Sequence, residues 1–289
     1  MSLPGRLLDL GGLRVFHHRS GKRGGTPVVF VHGYMVGHWS LRLVLEPFAA
    51  EGFDVIAPDL PGSGESDRPH PRDYGYDGDA YVSTLFAFLD ALDVARCHLV
   101  GHSLGGAIAL LAAARQPDRF ERLGVIDPAV YPFPLPLEGR VLMTPIVGLG
   151  LYKSLFSRRL LQSYLKRQIY RDPAIVTNEW VDYLWERLNR PGGLEAAHAG
   201  LRFLAEGTSV VEQSLSRVRS KVRILWGEDD RLFPCAWASR LAGQLGGAEF
   251  QIVPACGHSP PEEKPEEVVS ALLPFLSEAP LVQSATGAA

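Results

Sequence analysis

The chain has 289 residues, 46% of them hydrophobic and 21% charged, with a formal net charge of −3 at pH 7. That apolar content excludes a largely disordered chain and suffices for a full core, in one large domain or a core with an inserted subdomain. Acidic and basic residues are interspersed, so there is no electrostatic footprint for nucleic acid, and small neutral or amphiphilic partners are expected.

Residues Met1 to Leu10 carry no basic segment followed by a long apolar stretch, and no later run is long enough to span a bilayer. A soluble, unexported, cytoplasmic protein is expected. Cys97, Cys235 and Cys256 have no metal-ligand spacing and leave at least one thiol unpaired, which suits a reducing compartment. Cys235 and Cys256 could approach one another in the fold, but packed, reduced thiols are the expectation.

In chain order, strands are predicted at Leu13 to His17, Pro27 to His32 and Phe53 to Ala57, with a helix at Ser40 to Glu51. The pair His17-His18 does not read as a metal site, because neighbours on a strand point to opposite faces. The segment Asp59-Leu60-Pro61-Gly62-Ser63-Gly64-Glu65-Ser66 reads as a tight turn-forming loop and lacks the Lys and Ser/Thr pair of a phosphate cradle. A helix at Gly78 to Leu92 leads to a strand at Cys97 to Val100, a helix at Leu104 to Gln116 and a strand at Leu123 to Ile126. The last elements are strands at Val222 to Trp226 and Glu249 to Val253, and helices at Cys235 to Leu245 and Pro265 to Leu276. Several strands are continuously apolar, as strands buried on both faces of a mostly parallel sheet must be, so the alternation reads as α/β.

Between Tyr131 and Val218 no strand is predicted, only helical segments punctuated by prolines. An insertion of about 90 residues needs structure of its own, and residues 131–218 are read as a helical cap over the carboxyl ends of the strands, where open α/β sheets bind ligands. The core is then 1–130 and 219–277, and the tail from Glu278 to Ala289, rich in small residues, is expected to be disordered.

The candidate chemistry starts at Gly101-His102-Ser103-Leu104-Gly105-Gly106, which joins the strand at Cys97 to the following helix. A sharp turn that exposes a serine requires near-absent side chains two residues to either side, and Gly101 and Gly105 meet that need. A serine hydroxyl needs a base, and the base needs a carboxylate to fix its tautomer. His258, in Cys256-Gly257-His258-Ser259, and Asp230, in Trp226-Gly227-Glu228-Asp229-Asp230, each follow their own predicted strand. Asp127, after the strand ending at Ile126, and Asp229 are the rival acids.

The order Ser103, Asp230, His258 resembles that of the α/β-hydrolase family, in particular its capped serine hydrolases. The resemblance runs from about Leu13 to Leu276 and includes His32-Gly33-Tyr34 and the Asp59 to Ser66 loop. It implies an α/β-hydrolase fold, a mostly parallel sheet flanked by helices with an inserted cap, and catalytic Ser103, Asp230 and His258. It further implies an oxyanion hole formed by the backbone N–H groups of Tyr34 and Leu104, and structural roles for His32 and His102. Asp127 lies where some relatives keep their acid. No cofactor and no metal are implied.

The cap segment Val141 to Tyr152 is apolar at nearly every position and is followed by Lys153, Arg158, Arg159, Lys166, Arg167 and Arg171. It reads first as helices burying an apolar side while the basic residues are solvated. As a lid lining an acyl pocket, it favours hydrophobic acyl or aromatic esters over charged substrates, with transient contact to a lipid surface as a further partner reading. A carboxylic ester hydrolase is therefore the expected activity. The alternatives are a C–C bond hydrolase, a lactonase or an acyltransferase with the same triad, and a slow-turnover ligand-binding receptor. C–C hydrolases of this fold usually resemble Gly-Asn-Ser-Met-Gly at the elbow, from which His102-Ser103-Leu104 departs. Dehalogenases and epoxide hydrolases of the fold use an Asp nucleophile, which Ser103 argues against.

Overall fold

The computed structural model describes residues 3–132 and 137–278. Eight strands form one sheet: β1 (Gly5–Asp9), β2 (Arg14–Gly21), β3 (Pro27–Val31), β4 (Asp54–Pro58), β5 (Cys97–His102), β6 (Phe120–Ile126), β7 (Lys221–Gly227) and β8 (Glu249–Val253). Their order is β1-β2-β4-β3-β5-β6-β7-β8. The β1–β2 and β2–β4 pairs are antiparallel and the rest parallel.

The continuous apolar strands are buried on both faces. In β3, Val28 and Phe30 pack with α1 (Arg42–Ala50) and the C-terminal helix Pro265–Ser277, while Val29 and Val31 face the other way, toward α2 (Gly78–Ala91) and α3 (Leu104–Arg115). Alternation of side chains along a strand thus splits one apolar run between two cores. The predicted strands are all present, within a few residues. β1 is an addition: its side chains are mostly exposed, so it carries no apolar pattern, and it pairs with β2 across Gly11 and Gly12, whose φ angles are +78° and +102°.

Other departures are local. The segment Ser40 to Glu51 divides into a 3-10 turn, His38–Leu41, and α1, while the helix predicted from Cys235 begins at Trp237. Glu278, read as the start of a disordered tail, lies 2.7 Å from Arg122 and is held by it; the rest of that tail lies outside the described residues.

The described residues between β6 and β7 hold helices and no strand: α4 (Leu137–Leu142), α5 (Val147–Leu155), α6 (Arg158–Tyr164), α7 (Asn178–Leu188), α8 (Gly193–Arg202) and α9 (Ser209–Ser214). Two π-helical turns, Leu165–Ile169 and Phe203–Gly207, interrupt the run. Tyr152, Leu161, Leu165, Trp180 and Leu184 form a separate apolar cluster here, against which Tyr34, Met35 and Trp39 of the core pack. The apolar segment from Val141 is only half buried: Met143 and Tyr152 turn inward, while Val141, Ile146, Val147 and Leu151 are exposed. After β7 come α10 (Trp237–Gln244), α11 (Pro260–Glu263) and α12 (Pro265–Ser277). Among the described residues no helix is long and apolar enough to cross a membrane.

Candidate active site

Ser103 sits between β5 and α3 with φ 54° and ψ −116°, a conformation costing a non-glycine residue of order 1–3 kcal/mol. The surroundings impose it. A Cβ at Gly101 would run into the Gly105 carbonyl, and one at Gly105 into the carbonyls of Val31 and His32. The Ser103 amide donates to Ile126 O at 2.9 Å, and its carbonyl accepts from Gly106, Ala107 and Ala129.

The three residues singled out in the sequence converge. Ser103 Oγ lies 2.9 Å from His258 Nε2, and His258 Nδ1 lies 2.8 Å from Asp230 Oδ2. The other Asp230 oxygen accepts the N–H groups of Leu232 at 2.8 Å and Phe233 at 3.0 Å. Burial pushes the Asp230 carboxyl up, but the facing imidazole and these two amides outweigh that and leave it below the ordinary value. With Asp230 an anionic acceptor, Nδ1 carries the imidazole proton and Nε2 is free to accept from the serine.

The rival acids are placed elsewhere. Asp229 is half-exposed and paired with Arg171. Asp127 is fully buried behind the site, with φ 43°, and its Oδ1 accepts the Gly227 N–H at 2.8 Å. Burial, with the nearby Asp230 charge, holds its carboxyl well above the ordinary value. Asp127, Asp230 and His258 offer ligand atoms within 4.8 Å of one another, but Asp230 and His258 are already committed to each other.

The flanking histidines are fixed by backbone groups. His32 accepts the Leu60 N–H at Nε2 and donates from Nδ1 to Gly33 O. His102 donates from Nε2 to the His258 carbonyl at 2.7 Å, and burial lowers its pKa to about 3, so it is neutral. The Asp59 loop is a backbone turn: Asp59 accepts the His38 and Glu65 amides, and a Cβ at Gly64 would collide with its carboxylate. All three cysteines are free.

Leu104 is the first residue of α3, where an N–H has no intrahelical acceptor. Neither it nor the Tyr34 amide is taken by another described residue. The Tyr34 side chain is anchored, its hydroxyl donating to Ala197 O at 2.6 Å.

A cavity of about 280 Å³ opens at Ser103, with apolar walls that include Leu161, Leu165, Ile169, Leu184, Leu204 and Phe233. The segment 165–172, a π-helical turn and the three residues after it, is tied to the His258 loop. His258 N–H donates to Ile169 O at 2.7 Å, and the Glu263 carboxylate accepts the amides of Gly257, Arg171 and Asp172. Arg231, at the exposed rim, donates to Arg167 O at 2.7 Å. Ile169, Glu263, Arg231 and the pair Arg42–Glu262 carry no local sequence signal, because their partners are distant in the chain.

Residues 28–271 match the family described as the alpha/beta hydrolase family. The chain belongs to the alpha/beta hydrolase family. Within it, the chain is 30% identical over 283 residues to the 2-hydroxymuconate semialdehyde hydrolase of Pseudomonas sp. (strain CF600), covering 95% of this chain and 94% of that one. It is 28% identical to the 2-hydroxy-6-oxo-6-phenylhexa-2,4-dienoate hydrolase of Comamonas testosteroni, covering 93% of each. Among solved structures, Cfl2 from Burkholderia cenocepacia superposes with a TM-score of 0.79 at 25% identity, over 94% of this chain and 95% of that one. This alpha/beta hydrolase is accordingly a hydrolase by family.

Proposed function

We propose that the chain hydrolyses an acyl bond through a covalent Ser103 ester, with His258 as general base and then general acid and Asp230 orienting it. The observation that carries this reading is the continuous relay from Asp230 through His258 to a serine held at a strained strand-to-helix turn. Ser103 Oγ attacks the substrate carbonyl as its proton passes to His258 Nε2, and the carbonyl oxygen becomes an oxyanion. The free amides of Tyr34 and Leu104 are the donors for that charge, and losing one such donor costs about 3 kcal/mol. Collapse breaks the bond to the leaving group, which takes the proton from His258. Water, deprotonated by the same imidazole, then releases the acid and restores Ser103.

For the bond that is cut, the apolar cap points to esters, but the relatives point to carbon–carbon cleavage, and we place that reading first. Two relatives spanning over nine-tenths of the chain are named as hydrolases of a 2-hydroxymuconate semialdehyde and of a 2-hydroxy-6-oxo-dienoate. The leaving group would be a carbanion stabilised by conjugation, protonated from His258, with Arg231 at the rim as the cation available to a carboxylate. Ester hydrolysis is the second reading, favoured by the elbow: His102 stands where C–C hydrolases of the fold usually resemble an Asn, and its Nε2 is committed to the His258 carbonyl.

The test compares kcat/KM for 2-hydroxy-6-oxo-6-phenylhexa-2,4-dienoate with that for p-nitrophenyl esters from acetate to palmitate. The expected result is at least about a tenfold advantage for the dienoate. An advantage for an ester moves the second reading to first place, and no turnover of either by a protein whose Ser103 is unreactive contradicts the acyl-hydrolase reading itself.

A further inference from the structure

Glu262 is the only carboxylate among the described residues lining the cavity, and its side chain is 2% exposed. It takes no part in the relay at Ser103, yet a carboxyl in an apolar wall is costly unless paired. Its partners come from three parts of the chain. Arg42 of α1 donates to Oε1 at 2.8 Å; Tyr170 and Ser259 donate to Oε2, Ser259 at 3.3 Å. Tyr170 in turn accepts Trp180 Nε1–H at 2.9 Å, and the Arg42 guanidinium lies over the rings of Trp39 and Trp180 at 5.1 and 5.8 Å from their centroids.

A carboxylate offers about four lone-pair sites. Three are used, and Oε1 meets only Arg42, so one acceptor position is left in a residue that borders the cavity. The Arg42 charge balances that of Glu262, so the wall has no strong preference for a cation. It favours a neutral donor, and a second carboxylate would meet an acceptor with nothing to donate. We propose that Glu262 is a specificity-determining residue that accepts a hydrogen bond from a neutral hydroxyl of the substrate and turns carboxylates away from this wall. The inference rests on the reading that this cavity receives the acyl substrate. A substrate carboxylate, where there is one, then belongs at the Arg231 rim.

The test is equilibrium binding to the Ser103→Ala protein by titration calorimetry, which needs no turnover and so is readable whichever bond the enzyme cuts. The probes are 4-hydroxy-, 4-methyl- and 4-carboxyacetophenone. The hydroxyl compound is expected to bind about tenfold more tightly than either of the others. Adding Glu262→Gln, which keeps an acceptor for Arg42 but removes the charge, should shrink the gap to the carboxylate by at least about threefold; a purely structural Glu262 would shift all three affinities together. Equal binding of the hydroxyl and methyl compounds to the Ser103→Ala protein overturns the proposal, as does an unchanged ranking and spacing in the Gln variant. Should that variant fail to fold, the ranking in the Ser103→Ala protein alone decides. Failure of the acyl-hydrolase reading would appear separately, as an unreactive Ser103 in the wild-type protein.

Discussion

The turn under Ser103 and the wall around Glu262 border the same cavity but are built in opposite ways. The turn is local and made of backbone: glycines too close to neighbouring carbonyls to carry a side chain, between a buried strand and a helix. The wall is assembled from side chains distant in sequence, with Arg42 220 residues from Glu262 and Tyr170 92 residues from it. The reactive turn is thus defined by a six-residue motif, while the surface that meets the rest of the substrate depends on how the inserted helices sit on the core.

The largest effects are expected at the turn. Ser103→Ala should lower kcat by about 10⁴-fold or more with an unchanged fold, measured by turnover and circular dichroism. Asp230→Asn should lower kcat by about 10³- to 10⁴-fold, since the amide favours the wrong imidazole tautomer; activity within tenfold of wild type would mean that Asp127 or another group supplies the charge. Gly105→Ala drives a Cβ into two backbone carbonyls that cannot move without disturbing β3, so it should cost about 3 kcal/mol in a denaturant titration.

Smaller effects sharpen the other side. Glu263→Ala removes the shared acceptor of the Gly257, Arg171 and Asp172 amides, in a partly exposed position, and should cost about 1–3 kcal/mol. Because those amides join the His258 loop to the inserted helices, kcat should fall as well, by about tenfold, whereas a loss of stability alone would show that this link does not position the base.

A separate effect is expected in acid. Burial lowers His102 to about 3 and His17 to about 4 from the ordinary 6.5, so both stay neutral in the fold while the unfolded chain takes up protons below 6.5. Their contribution is complete above 6.5 and is lost as the pH falls toward those values, by about 2 kcal/mol for His102 at about pH 5. Asp127, raised by burial, acts with the opposite sign, holding a proton in acid that the unfolded chain releases. Melting curves of wild type and His102→Asn across this range would isolate the His102 part as a shallower decline in the variant.

Much of the core was legible because burial on both sheet faces writes itself as unbroken apolar runs, as in Val28-Val29-Phe30-Val31. β1 was not, since an exposed edge strand needs no such pattern. The placement of Ser103, Asp230 and His258 was readable for a related reason: each follows its own strand, so the sheet topology brings them to one edge. Glu262 and Glu263 carried no such signal, because their partners Arg42, Tyr170 and Arg171 are neighbours only in three dimensions. The π-helical turn at Leu165–Ile169, which presents Ile169 O to the His258 amide, has no periodicity to distinguish it from the α-helix before it.

Ser103 is proposed as the nucleophile, activated by His258 and Asp230. Intact-mass and peptide mass spectrometry after brief exposure to a fluorophosphonate tests it most directly. One adduct per chain on Ser103, absent in Ser103→Ala and strongly slowed in Asp230→Asn, is the expected result. An unmodified Ser103, or an adduct on another residue that accounts for loss of activity, would contradict it.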